Sequence, residues 1–483
     1  MRPSPSPRSE PTSRRLSSTS VMENSTQPAP RGSRSSKSPP RAPASSSENR
    51  PVPDLRPFRG LRFSPKAGDL EDLVAPPYDV IGAEQYQVLC RRSPHNVVRL
   101  ILDKGYSPDV LPPPEWYDQA AALLDAWRRA GILALDADPA FYLYSQVFPH
   151  RGRLMRRKLL LGALRLEAYG AGRIFPHENT TPGPKISRLR LMQACKANLS
   201  PILAFFPDPD GAINRALDEL GAERPVVAFT DHEGIEHELR RIADTSQQYT
   251  LSTALAPLPL YIADGHHRYE TALVYRDIER ARLGASAATE LPLDFMLTAC
   301  MSGADPGLII RPTHRVVTWQ GDFWATDFLD EAEEWFSARK LTASTLQEAL
   351  AVLDARRDES LFIIYEGRAV GYIVLQLRSE EALRDAPYPL GSPLRKLPAA
   401  VFSQAFLAKL PGLRGATVTY TADPEVAIRQ ADANERSLAC LLPSVSPGEL
   451  MSVVDAGERM PPKSTYFWPK PMTGMVLRSL AVF

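Results

Sequence analysis

Leu260-Tyr261-Ile262-Ala263 has the apolar, aromatic and β-branched make-up of a buried strand. It runs without a spacer into Asp264-Gly265-His266-His267-Arg268 and then into a helical pattern, Tyr269 to Arg282. Strand, glycine turn and helix in direct succession require a sheet backed by a helix. Elsewhere helical and strand patterns mix without a regular βαβ period, so the expected class is α+β with mixed sheets.

The flanking patterns fill in that class. Glu115 to Ala130 places Trp116, Ala120, Leu123, Leu124 and Trp127 on one side, with Gly131 set to end the helix. Ala140 to Val147 and Arg157 to Glu167 read as paired strands about a turn at Pro149-His150-Arg151-Gly152. Val97 to Leu102 has strand composition, and Lys185 to Ala197 looks helical before a buried strand, Ile202 to Phe206. Leu361–Tyr365 and Val370–Leu375 suggest a hairpin about Glu366-Gly367-Arg368, Ala399 to Leu410 a helix, and Thr417–Tyr420 and Ala439–Leu442 strands. The expected organisation is a tail over 1–54, an N-terminal part over 55–165, a central part over 166–320 with the glycine turn, and a C-terminal α+β part over 321–483.

Charge divides the chain. Residues 1–50 hold fifteen Ser and nine Pro, and nine basic against three acidic residues, a net of +6. Such a segment cannot offset its conformational entropy by burial and is expected to be disordered. The remaining 48 basic and 53 acidic residues leave −5, which argues against a dominant nucleic-acid surface and leaves a local basic patch open. No apolar run reaches the ~18–20 residues of a membrane span. No apolar stretch follows the first arginines, so no secretory leader is expected. Cys90, Cys195, Cys300 and Cys440 form no CxxC pair and read as free thiols of a cytoplasmic protein. Oligomeric state is left open.

Three constellations can carry chemistry. At the glycine turn, the unpaired N–H groups of a helix's first turn and its positive dipole suit a phosphate. Gly265 lets a ligand approach the backbone, and Arg268 can grip phosphate with its planar fork. His266 and His267 can donate hydrogen bonds, shuttle a proton or ligate metal. Asp264 can cap the helix, or bind a hydroxyl or a metal. Packing histidines and a capping aspartate are the plainer alternative. The second set is Arg173, His177, Glu178, Lys185 and Arg188. His177 and Glu178 on a loop can supply a general base, and Lys185 and Arg188, one helical turn apart, can face one anion. A solvated loop and a charged helix face remain open. The third is Met460 to Pro471, where Lys463, Ser464 and Thr465 can line a phosphate or carboxylate site behind a wall of Tyr466, Phe467 and Trp468. An aromatic-anchored loop closing the core is the alternative. No HExxH, Walker A, GxSxG or GxGxxG pattern occurs.

These residues resemble a known family. Arg56-Pro57-Phe58, Ala75-Pro76-Pro77-Tyr78-Asp79-Val80, Pro176-His177-Glu178, Ile262 through Ala272, Pro312-Thr313-His314-Arg315 and Met460 through Lys470 look like the bacterial and archaeal domain of unknown function 1015, from about residue 55 to the end. More distantly, the strand entering Asp-Gly-His-His-Arg, with Asn198-Leu199-Ser200-Pro201-Ile202 before it, is similar to the ParB/sulfiredoxin-like superfamily. That resemblance implies a loop that binds nucleotide phosphates. The turn lacks the cysteine of sulfiredoxin, and no clear helix-turn-helix of ParB type is visible. The superfamily's free-serine kinases keep such a loop and use a glutamate base, which points to Glu178.

The reading that follows is a nucleotide-dependent phosphotransferase acting on a small hydroxyl metabolite, with free serine one candidate. ATP or ADP would sit on Gly265 to Arg268, with Mg²⁺ near Asp264, and Glu178, His177 or His267 would handle the proton. A metal-dependent phosphoester hydrolase using His177, Glu178, Asp264, His266 and His267 is the second reading. A non-catalytic, ParB-like nucleotide-binding protein is the third.

Overall fold

Phe141–His150 and Arg153–Arg165 form the long hairpin around which the first sheet is built. Its turn is two residues, Arg151 (φ 49°) and Gly152 (φ 73°), both left-handed, the backbone that matches strand twist in a tight hairpin. The computed structural model describes residues 52–104, 110–222, 224–284, 286, 288–320, 325–343, 345–357 and 359–481. The Ser/Pro-rich segment 1–50 lies outside the described residues. Asp54, just before Leu55, is ion-paired with Arg56 and Arg165.

The fold is mixed α+β. The first sheet runs Ile174–Pro176, Leu260–Asp264, Ile202–Phe206, Phe295–Ser302, Arg153–Arg165, Phe141–His150, Glu236–Ile242, Val227–Thr230. Two of its pairings are parallel, Ile174–Pro176 with Leu260–Asp264 and Ile202–Phe206 with Phe295–Ser302. Alternation assigns the faces. Phe141, Leu143 and Ile262 pack with Tyr269, Ala272 and Tyr275 of the His266–Leu283 helix. Tyr142, Tyr144 and Ala263 pack on the other face with Val453, Val454, Met460 and Phe467. Both faces are covered, which is why the central strands read as continuous apolar runs.

A second, antiparallel sheet orders Phe336–Lys340, Tyr372–Leu377, Leu361–Tyr365, Ser437–Leu441, His314–Thr318 and Thr417–Thr421. The chain then returns to pack on one face of the first sheet, where it forms two separate two-stranded ladders. Tyr466–Trp468 pairs with Ile309–Arg311, and Arg478–Ser479 with Ala197–Asn198. No helix among the described residues is long and apolar enough to cross a membrane. All four cysteines are free.

Several sequence expectations shift. Val97 to Leu102 is no strand; Val98–Ile101 is a helical turn. Asn96 starts it, its Oδ1 accepting from the Val98 N–H at 2.9 Å while its Nδ2 donates to the Val74 carbonyl at 3.0 Å. A short run buried on every side carries no periodicity to separate strand from helix. The helix expected from Lys185 begins at Pro182, because prolines are tolerated in a first turn whose N–H groups have no partner. The helix expected from Tyr269 begins at His266, so His266, His267 and Arg268 all lie in its first turn. The Leu361–Tyr365 and Tyr372–Leu377 hairpin closes through a helical turn, Gly367–Val370, and Pro398–Val401 continues as a π-helical Phe402–Leu407.

Candidate functional site

Parallel pairing builds the site. Ile262 stands opposite Pro176, so the residues that follow each leave the sheet at the same end. Asp264-Gly265 and His177-Glu178, apart in sequence, become neighbours there. The third segment is brought in through the backbone, the Met460 N–H donating to the His177 carbonyl at 2.8 Å. The three constellations therefore share their central members, though not all of them.

Gly265 (φ 92°) makes the turn and is the helix N-cap, with no side-chain cap. A Cβ there would lie 2.9 Å from Ile202 Cγ2 and 3.1 Å from the Arg268 guanidinium, so conformation and space both require glycine. Asp264 does not cap. One oxygen accepts from Lys470 Nζ, and the other pairs with Arg268 at 2.5 Å. Burial alone would raise its pKa, but Lys470 and Arg268 outweigh that and hold it at about 2. The Lys470 charge is stabilised in return: burial opposes it, Asp264 and Asp79 favour it, and its pKa is raised.

The histidines are neutral parts of the wall. His177 is fully buried. Its Nδ1 faces the Ile262 carbonyl at 2.7 Å, which only accepts, so Nδ1 carries the proton and Nε2 accepts from Thr465 Oγ1 at 2.8 Å. Burial lowers its pKa to about 4. His266 stands edge-on to it, ring centroids 4.6 Å apart, accepts from the His177 backbone N–H at 3.3 Å, and is held well below the usual range by burial. His267 accepts from the Thr181 N–H at 3.0 Å and is likewise lowered by burial.

Glu178 is the group poised for proton transfer. Burial raises its pKa to about 7 against the opposing pull of Lys463 and Lys470, while its side chain keeps 23% exposure. Lys463 is exposed and left-handed (φ 58°), with its carbonyl gripped by Arg315 at 3.2 Å. An accessible carboxyl titrating near 7 beside a lysine and a helix start can accept a proton from a hydroxyl next to a bound anion.

Other expected residues lie elsewhere or are engaged. Arg173 precedes Ile174, at the opposite end of the strand, and donates to the Pro257 carbonyl at 2.8 Å. Arg188 turns inward, donating to the Ile101 carbonyl at 2.8 Å with its guanidinium 4.2 Å from the centre of the Tyr78 ring. Lys185 pairs with Glu270 at 2.9 Å, so Lys185 and Arg188 do not face one anion. Arg268 is buried and donates to Pro201 O as well as Asp264. The Ser464 hydroxyl donates to Pro461 O at 2.6 Å. Asp79, Arg315 and Lys470 stand in the segments that carry the family resemblance but have no role there; Lys470 lies 206 residues from its partner Asp264.

The donors do not fit a metal at Asp264. Lys470 and Arg268 occupy its carboxylate, and among the described residues no three His, Cys, Asp or Glu side chains are grouped to hold an ion.

The family's sequence profile matches residues 55–399, most of the chain. This chain belongs to the DUF1015 family, described as proteins of unknown function. The DUF1015 match holds His177, Glu178 and the Asp264 turn; Met460 to Lys470, expected to share the resemblance, lies beyond it. No curated protein matches the chain. Among solved structures it is similar to a free serine kinase in complex with AMP (14% identity, TM-score 0.30, 61% of this chain and 83% of that one). It is also similar to SbnI with a C-terminal truncation from Staphylococcus aureus (12%, 0.32, 65% and 86%). A third is a conserved hypothetical protein from Pyrococcus furiosus (13%, 0.29, 62% and 90%).

Proposed function

We propose that this protein is a nucleotide-dependent phosphotransferase acting on a small hydroxyl compound, with free serine the first acceptor to test. The observation that carries the reading is Glu178, a carboxyl raised to about 7, at the strand end that also presents Lys463, Lys470 and the start of the His266 helix. ATP or ADP would place its terminal phosphates against the helix start and Lys463. The acceptor oxygen attacks the terminal phosphorus, its proton passes to Glu178, and the nucleotide leaves one phosphate shorter. Positioning and charge neutralisation supply most of what such a transfer needs. Neutral His177 and His266 shape the wall rather than titrate. No protein-bound metal enters this scheme.

Incubation with ATP or ADP and serine, followed by detection of the phosphorylated product, tests it. Glu178→Gln should slow turnover by roughly 10²–10⁴-fold with nucleotide affinity unchanged. The wild-type rate should rise as pH passes through about 7, because the base acts only when deprotonated. Wild-type turnover by Glu178→Gln overturns the reading, as does nucleotide binding without transfer to any hydroxyl acceptor.

A further inference from the structure

A second cleft lies where the Phe141–His150/Arg153–Arg165 hairpin turn meets the Ile309–Arg311 strand. Two adjoining cavities of about 230 and 390 Å³ share His150, Arg151, Arg311, Pro312, Asp354 and Ser444. Arg311 is the unusual member. Its guanidinium lies 3.5 Å from the centre of the Trp468 ring and makes no hydrogen bond or ion pair with any described residue. Burial lowers its pKa, although Tyr466, Glu233 and Asp423 act from a distance in the opposite sense. Its nitrogens are not among the buried unpartnered atoms, so they open to the cleft, where an anion can reach them.

Beyond Arg311 the cleft's charges balance, Arg151 and Arg357 against Asp354 and Asp423, so Arg311 supplies the excess. Exposed Arg357 lines it beside Arg311, and half-buried His150 adds a neutral ring, its pKa lowered by burial and by Arg151 and Arg311. The cleft's two carboxylates have partners, and Asp423 keeps its negative charge toward Arg311. Asp354 pairs with Arg151 at 2.9 Å, an exposed pair that yields easily, and Asp423 accepts from the Glu425 N–H at 2.8 Å. The nearby helix Pro447–Asp455 is capped by its own Ser446 and Glu449, so its N-terminus does not contribute. What remains is a pre-stacked arginine fork with the exposed Arg357 beside it, and such a fork recognises phosphate through paired N–H donors.

We infer that this cleft is a second anion site, which takes a phosphate-bearing small molecule on Arg311. It is independent of the phosphotransferase reading. Calorimetric titration of the full chain with pyrophosphate tests it, with citrate as the carboxylate control. Arg311→Ala should weaken one binding event by roughly 10- to 100-fold, and Arg311→Lys should weaken it less, because an ammonium cannot reproduce the planar fork. Lys463→Ala, at the other site, should leave that event intact. Wild-type pyrophosphate affinity in both Arg311 variants overturns the inference, as does a single event abolished by Lys463→Ala. Tighter binding of citrate than of pyrophosphate overturns the phosphate assignment. Loss of the Lys463-sensitive event alone counts against the phosphotransferase reading and not against this one.

Discussion

Arg268 and Arg311 are the same side chain in two opposite situations. Arg268 belongs to the turn whose composition most suggests phosphate binding, yet its donors go to the Pro201 carbonyl and the Asp264 carboxylate. Arg311 lies in a strand with no such signature, and its fork is stacked and without a bonded acceptor. The difference teaches that a cationic motif does not by itself mark a ligand contact. What decides is whether the fold already supplies the acceptors.

The comparison breaks most visibly in stability. Arg268→Ala removes a buried partner from Asp264 and from a buried carbonyl, which costs about 3 kcal/mol or more. The value falls at the low end of the ~3–5 kcal/mol range for a broken buried pair because Lys470 still faces Asp264. Denaturant unfolding of the full chain measures it. A neutral result would mean that Arg268 is not the clamp its hydrogen bonds describe.

Gly265→Val comes next. It forces a branched side chain into a left-handed backbone and against Ile202, and overpacking of this kind costs about 1–3 kcal/mol. Thermal melting should show the loss, and relief by a second change, Ile202→Ala, would identify the collision as its source.

Acid should separate the two regions further. Asp264 is held at about 2 in the fold against 3.8 ordinarily, so its stabilisation is complete above pH ~4 and is lost as pH falls toward 2. A shift of that size corresponds to about 2 kcal/mol. Asp264→Asn should abolish this part of the acid dependence. If the variant and the wild type lose stability in parallel between pH 4 and 2, Asp264 is not the group that titrates.

The sequence carried the local half of this site. A glycine between an apolar strand and a cationic helix start is legible because every residue that defines it is contiguous. Glu178 was legible as a loop carboxyl. Its meeting with Asp264 depends on the Ile262–Pro176 register, which no local pattern contains. Arg173 failed for the converse reason. It is only four residues from His177, but at roughly 3.3 Å per strand residue it sits at the far end of the sheet. Lys470 and Arg315 reach the site through the returning C-terminal segment and the Ile309–Arg311 pairing, contacts visible only in three dimensions.

The smallest expected effect is the one that sharpens the comparison. Arg311→Met keeps an unbranched side chain against Trp468 but removes the charge. The cation–π attraction that this removes is worth about 0.5–1 kcal/mol at a site of this exposure. Against it stands the relief of a partly desolvated guanidinium that no described residue satisfies. The two oppose, so without ligand the melting temperature should stay within a few degrees of wild type, where ~1 kcal/mol at most is in play. With pyrophosphate added, the wild type should gain stability by binding and the variant should not gain the share due to this cleft. A large destabilisation in the absence of any anion would show that Arg311 is a structural arginine like Arg268, and the contrast between them would collapse.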